Sequence, residues 1–130
     1  MKSWASLSLR IGLGTVFVAH GLGKAFGMFG GGGIAGFSKM LANLGFMPPT
    51  FWAYVVAYVE LVGGFFLLIG FFSRITVIPL LVVMLVAALT VHVPKGFFSS
   101  QGGFEHILVI VSGLIALAIL GSGKFGVTKH

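Results

Sequence analysis

Four runs of apolar residues, each close to the length needed to cross a lipid bilayer, dominate this 130-residue chain. A hydrocarbon core of about 30 Å takes roughly 20 helical residues to cross, and tilt or flanking anchors accommodate shorter runs. The first run extends from about Trp4 to Phe26, and the second from Phe51 to Phe72 with only Glu60 interrupting. The third covers Ile75 to His92 and the fourth about Phe104 to Leu120. The pattern predicts a single all-α domain over residues 1–130, an integral membrane four-helix bundle with both ends on one side of the bilayer.

Composition closes off the soluble alternative. Apolar residues make up 58% of the chain and charged residues 8%, with a mean hydropathy of +1.13, so the charged exterior of a soluble domain is missing. Seven of the eight basic residues, Lys2, Lys24, Lys39, Arg74, Lys95, Lys124 and Lys129, lie at or beyond the ends of the apolar runs. They read as headgroup anchors rather than a nucleic-acid surface. The absence of cysteine excludes disulfides, a thiol relay, CxxCH haem attachment and Cys-ligated metal. The first run lacks a small-x-small cleavage site and ends in His20, Gly21 and Lys24, which predicts a retained helix rather than a signal peptide.

The longest connection opens with Gly30 to Gly33, expected to form a flexible loop or hinge. Ile34, Phe37, Met40, Leu41 and Leu44 then recur at helical spacing against Ser38, Lys39 and Asn43. That spacing predicts a short amphipathic helix in the membrane surface between helices one and two, ended by Pro48 and Pro49. Gly70, Ser73 and Arg74 mark a tight turn, and Pro94, Gly96, Gly102 and Gly103 lie in the third connection. Gly12, Gly14, Ala19, Gly63, Gly64, Ala87, Ala88, Ser112, Gly113 and Ala116 permit close helix packing. Lys2, Arg74, Lys124 and Lys129 on the termini side outnumber Lys24, Lys39 and Lys95 opposite, which puts both termini in the cytoplasm.

Ionisable groups deep in a transmembrane helix are costly unless paired or wetted, and two stand there: Arg10 and Glu60. At about 1.5 Å per residue, Glu60 falls roughly 14 Å below one face and Arg10 roughly 9 Å above the other, so the two differ in depth by about 7 Å. An Arg10–Glu60 ion pair is therefore expected, either as a lock between helices one and two or as part of a site for a neutral polar molecule. A second set gathers near the face opposite the termini: His20 and Lys24, which share a helical face at i and i+4, His92, and Gln101, Glu105 and His106. These groups suit an interfacial hydrogen-bond network, a metal or haem, or proton exchange with a quinone. No HxxxH or ExxH motif accompanies them, and no metal site is assigned. Phe17, Phe26, Phe65, Phe66, Phe97, Phe98 and Phe104 either pack the core and face lipid or line a slot for a planar ring. Trp4, Trp52 and Tyr54 sit near helix ends, as interfacial aromatics do.

Read in order, the polar and glycine positions resemble the DoxX family of small membrane proteins. The resemblance rests on Arg10, Gly14, Phe17, His20, Gly21 and Lys24; on Glu60, Gly63, Gly64, Leu67, Gly70 and Arg74; and on Met84, Ala87, His92, Gly96, Phe97 and Phe98. Gly102, Gly103, Glu105, Gly121 and Gly123 complete it, whereas Ser122 stands where a proline is common. The resemblance implies a four-helix protein of the bacterial or archaeal cytoplasmic membrane, with relatives that include a subunit of a thiosulfate:quinone oxidoreductase. The leading expectation is a redox-associated subunit that binds a quinone or similar small molecule, takes its electrons from a partner protein, and works as a homo-oligomer or hetero-complex. Arg10, Glu60, His20, Lys24, His92, Gln101, Glu105 and His106 are its candidate ligand contacts, with Glu60, His20, His92 and Glu105 carrying the proton chemistry. A non-enzymatic anchor for soluble oxidoreductases and a small-solute transporter are the alternatives.

Overall fold

The computed structural model describes residues 2–27, 32–92 and 105–127, with the backbone alone at 91 and 92. The described residues are helical apart from turns. Helix α1 covers Lys2–Phe26, α2 Gly33–Asn43, α3 Pro49–Ile69, α4 Ser73–Ala87 and α5 Glu105–Leu120, with a π-helical turn, Ala88–His92, continuing α4. Three stretches, Lys2–Phe26, Pro49–Ile69 and Ser73–Thr90, are long and apolar enough to cross a membrane. The 16-residue α5 is a shorter apolar helix.

Local chemistry sets these boundaries. Pro48 and Pro49 start α3, since proline at the first helical position forgoes an N–H that no carbonyl would receive. Gly70 ends it in the left-handed conformation at φ 73°, and Phe72 also has positive φ, so α3 stops short of the Phe72 expected from its apolar run. The π-helical turn was not foreseen. Gly33 belongs to α2 rather than to a glycine loop, and residues 28–31, like 93–104 of the third connection, lie outside the described residues.

Helices α1 and α3 run antiparallel in close contact, and glycines set their register. A Cβ on Gly21 would lie 2.7 Å from the Leu61 nitrogen, one on Gly64 would lie 2.8 Å from the Val18 nitrogen, and one on Gly14 would lie 2.7 Å from Leu68 Cγ. Each step along α1 is thus matched by an opposite step along α3, with backbones too close for any side chain between them. The core draws Leu13 and Phe17 from α1, Leu67 from α3, Val77, Leu80 and Met84 from α4, and Ile107, Leu114 and Leu117 from α5. Phe37 and Leu41 of α2 pack separately on Ala53 of α3. Outward positions are also apolar, with Ile75, Val82, Val109 and Ile119 more than half exposed, so these helices have no polar face to turn to water.

The chain ends meet. Ser6 donates to the Gly121 carbonyl, the Lys124 N–H to Ser3 Oγ at 3.2 Å, and the Val127 N–H to the Ile69 carbonyl at 3.0 Å. Ser122 Oγ donates to Ser73 Oγ at 2.7 Å and accepts from the Ser73 N–H at 3.2 Å. Residues Gly121–Val127 therefore tie together the ends of α1, α3 and α4.

Candidate functional site

The expected Arg10–Glu60 pair does not form. Glu60, fully buried on α3, accepts a hydrogen bond from Lys24 Nζ at 2.8 Å through Oε1. The register explains this: Glu60 stands beside Leu61, which faces Gly21, so Lys24 is the basic residue one turn away on α1. Arg10 lies at the other end of the same interface, 1% exposed, and its Nη1 donates to the carbonyls of Leu67 and Leu68 at a long 3.4 Å each. Depth estimated from the ends of apolar runs put Arg10 and Glu60 within reach, whereas the glycine contacts set Glu60 opposite position 22 of α1, about three turns from Arg10. Lys24 is correspondingly not a headgroup anchor. Its side chain is 28% exposed and its ammonium lies 4.9 Å from the centre of the Phe37 ring on α2.

Beside this pair lies a cavity of about 760 Å³. α2 and α4 form two walls over α3, and the ends of α1 and α5 close it. Its polar groups are few: His20 and Lys24 of α1, Thr90 of the π-helical turn, and His106 of α5. The rest of the wall is Phe37, Met40, Leu41 and Leu44 of α2, Phe46, Trp52, Val55, Val56 and Val59 on the α3 side, and Pro79, Val82, Val83, Met84, Val86 and Ala87 of α4, with Ile107 and Ile110 of α5. An apolar cavity with a few convergent polar groups is the usual form of a small-molecule site. Lys24 can place one ammonium N–H on Glu60 and present the others to an acceptor. Because Glu60 offsets the charge of Lys24, the arrangement suits a neutral molecule with carbonyl or hydroxyl oxygens. Glu60 Oε2 is buried without a hydrogen-bond partner among the described residues, which leave that carboxylate half satisfied.

The sequence thus located much of the site. His20, Lys24 and His106 line the cavity, and Glu60 supports it through Lys24. Glu105 opens α5 next to His106, and the backbone of His92 ends the π-helical turn. Gln101 lies outside the described residues. Arg10 is removed from the cavity and serves the C-terminal carbonyls of α3 instead. The proposed aromatic slot is replaced: Phe17 is in the core, Phe26 and Phe65 are more than half exposed, Phe66 packs edge-on to Phe71, and the cavity aromatics are Phe37, Phe46 and Trp52. Phe97, Phe98 and Phe104 fall outside the described residues. The amphipathic spacing of Phe37 and Leu41 was the available signal for the α2 wall, but its apolar face was read as a lipid contact.

Residues 5–93 match the DoxX family model. A protein of Bacillus subtilis (strain 168) named "Putative oxidoreductase CatD" is 33% identical over 117 residues, covering 90% of this chain and 79% of the relative. No solved structure matches the chain. The matched segment contains α1 through the π-helical turn and so holds Lys24, Glu60 and most of the cavity wall. With three helices long and apolar enough to cross a membrane, the chain is a multi-pass membrane protein. It belongs to the DoxX family.

Proposed function

We propose that this protein binds a quinone or a similar neutral, oxygen-bearing molecule in the cavity beside Lys24, as the membrane subunit of a redox system whose electrons come from a partner protein. The observation that carries the reading is the Lys24–Glu60 pair at the wall of an otherwise apolar 760 Å³ cavity. A ring carbonyl is the acceptor that such a masked ammonium prefers, since a fully charged ligand would lose to the Glu60 carboxylate. Phe37 and Trp52 supply flat surfaces for a ring. His20 and His106 at the rim, with His92 and Glu105 on the adjoining elements, exchange protons with the bound molecule, and Glu60 holds Lys24 in place. Quinone chemistry consists of gaining or losing two electrons and two protons; this chain provides the pocket and the proton groups.

In this reading α1, α3, α4 with its π-helical turn, and α5 are four crossings of the cytoplasmic membrane, and α2 lies in the interface. The protein works as a homo-oligomer or with its redox partner. Quinone-linked electron flow in membranes carrying Glu60→Gln or Lys24→Met tests the proposal, with folded protein verified by gel filtration. Flow falls at least about tenfold in both variants if the pair positions the ligand. Unchanged flow in folded protein would sink the redox role and leave an anchoring function.

A further inference from the structure

The cavity has a direction. Its polar groups, Lys24, Thr90 and His106, with His20 one turn further in on α1, lie toward the end of the bundle where α1 finishes, α3 starts and α5 starts. From there the wall continues inward along α4 from Thr90 to Pro79, eleven residues, or about 16 Å of helix. Pro79 immediately precedes Gly63's neighbour Leu80, which a Cβ on Gly63 would approach to 3.0 Å, so the inner end reaches the middle of α3, where Gly64 meets α1. Nothing polar lines that inner stretch. The same stretch is open at the side: Val82 is 56% and Val86 41% exposed while also lining the cavity, and Met40 and Leu44 of α2 are exposed on the opposite lip. α2 packs on α1 and α3, and α4 on α3 and α5, so the lip between α2 and α4 is a gap in the side of the bundle; with the helices set in the bilayer as proposed above, it opens to hydrocarbon.

Resting on the ligand reading above, we infer that the occupant is a bilayer-resident amphiphile that enters sideways through the gap between α2 and α4. Its oxygen-bearing head lies against Lys24 and its hydrocarbon tail runs along Pro79 and Val82. A water-soluble ring of the same chemistry would fill only the polar end and leave the inner stretch without a partner. A tail supplies that partner, and its packing against the wall adds to affinity over its contacts in the bilayer.

Trp52 lines the cavity and Trp4 lies at the far end of the bundle against Phe125, so Trp4→Phe leaves a single fluorescent reporter in the site. Two probes are titrated against that protein in nanodiscs: a methoxylated benzoquinone with no tail, and the same ring carrying a decyl tail. With each probe's concentration counted per volume of bilayer so that partitioning cancels, the expected result is quenching by both, with the tailed probe at least about tenfold tighter from packing of its tail along the wall. Val82→Phe with Val86→Phe, and separately Leu44→Phe on the opposite lip, should remove that gain and leave the tailless probe unchanged. These substitutions lie on exposed apolar positions, where a larger apolar side chain is accommodated. A tail that adds nothing, or a gain that survives both blocks, overturns the lateral seat while the ring site stands. Quenching by neither probe overturns the ring site itself and this inference with it.

Discussion

Lys24 of α1 donates to Glu60 of α3 at 2.8 Å, joining a residue near the end of one helix to a fully buried carboxylate in the middle of the next. The pair forms because glycines bring the two backbones together at Gly21 and Gly64, which fixes how far along α3 the last turn of α1 can reach. It neutralises the charge at the wall of the cavity and leaves one carboxylate oxygen without a partner among the described residues. Charge and packing are therefore coupled at this point: changing either moves the donors that a ligand would meet.

Lys24→Met removes the donor that the buried Glu60 carboxylate has among the described residues. Removing one partner of a buried pair typically costs about 3 to 5 kcal/mol. The double variant Lys24→Met with Glu60→Met removes both charges and should regain most of that stability. Unfolding in mixed micelles measures both. A single variant as stable as the parent would show that the pair contributes nothing to the fold.

The glycines of the α1–α3 interface should be intolerant of side chains, and Gly12 on the open side of α1 should accept one. A Cβ at Gly64 would come within 2.9 Å of Gly14 O and 2.8 Å of the Val18 nitrogen, both backbone atoms that cannot rotate away. Gly64→Ala should cost about 1 to 3 kcal/mol by forcing the helices apart. At Gly12 nothing lies within 4 Å, and Gly12→Ala should stabilise by up to about 1 kcal/mol through helix propensity alone. Thermal unfolding of the two variants side by side decides the matter, and equal effects would contradict the register.

These contacts also explain what was legible in the sequence. Element positions were, because an apolar run bounded by Pro48 and Pro49 or by Gly70 carries its own start and stop signals. The cluster of His20, Lys24 and His106 was legible because antiparallel topology alone brings helix ends to one face. The partner of Glu60 was not, since pairing depends on which glycine meets which backbone, and run lengths measure depth only to within a turn or two. The α2 wall was missed for a related reason: the apolar face of an amphipathic helix looks the same in sequence whether it meets lipid or closes a cavity, as Phe37 does over Lys24.

Orientation follows from the same pair. With Lys24 turned inward to Glu60, the sequence leaves Lys39 and Lys95 for the face opposite the termini, against Lys2, Arg74, Lys124 and Lys129 for the termini side. The positive-inside rule then predicts cytoplasmic termini. The chain has no cysteine, so Lys124→Cys and Lys39→Cys each introduce a single reporter. An impermeant maleimide added to intact cells should label the second and spare the first; the reverse pattern would invert the topology.

Arg10 carries the last prediction, and it opposes the role its depth suggested. Among the described residues, Nε and Nη2 of this buried guanidinium have no acceptor, and Nη1 makes two hydrogen bonds of 3.4 Å to Leu67 and Leu68. A buried charge so poorly satisfied contributes little to stability, and an apolar side chain of similar length fits the same space. Its loss would leave the Leu68 carbonyl short of a donor, while the Leu67 carbonyl still accepts the Gly70 N–H at 3.2 Å. Arg10→Met should therefore match or exceed the parent by up to about 2 kcal/mol, in contrast to Lys24→Met. It should also leave Trp52 quenching by the benzoquinone probes unchanged, because Arg10 lies outside the cavity. A stability loss as large as that of Lys24→Met, or weakened quenching, would restore Arg10 to the site.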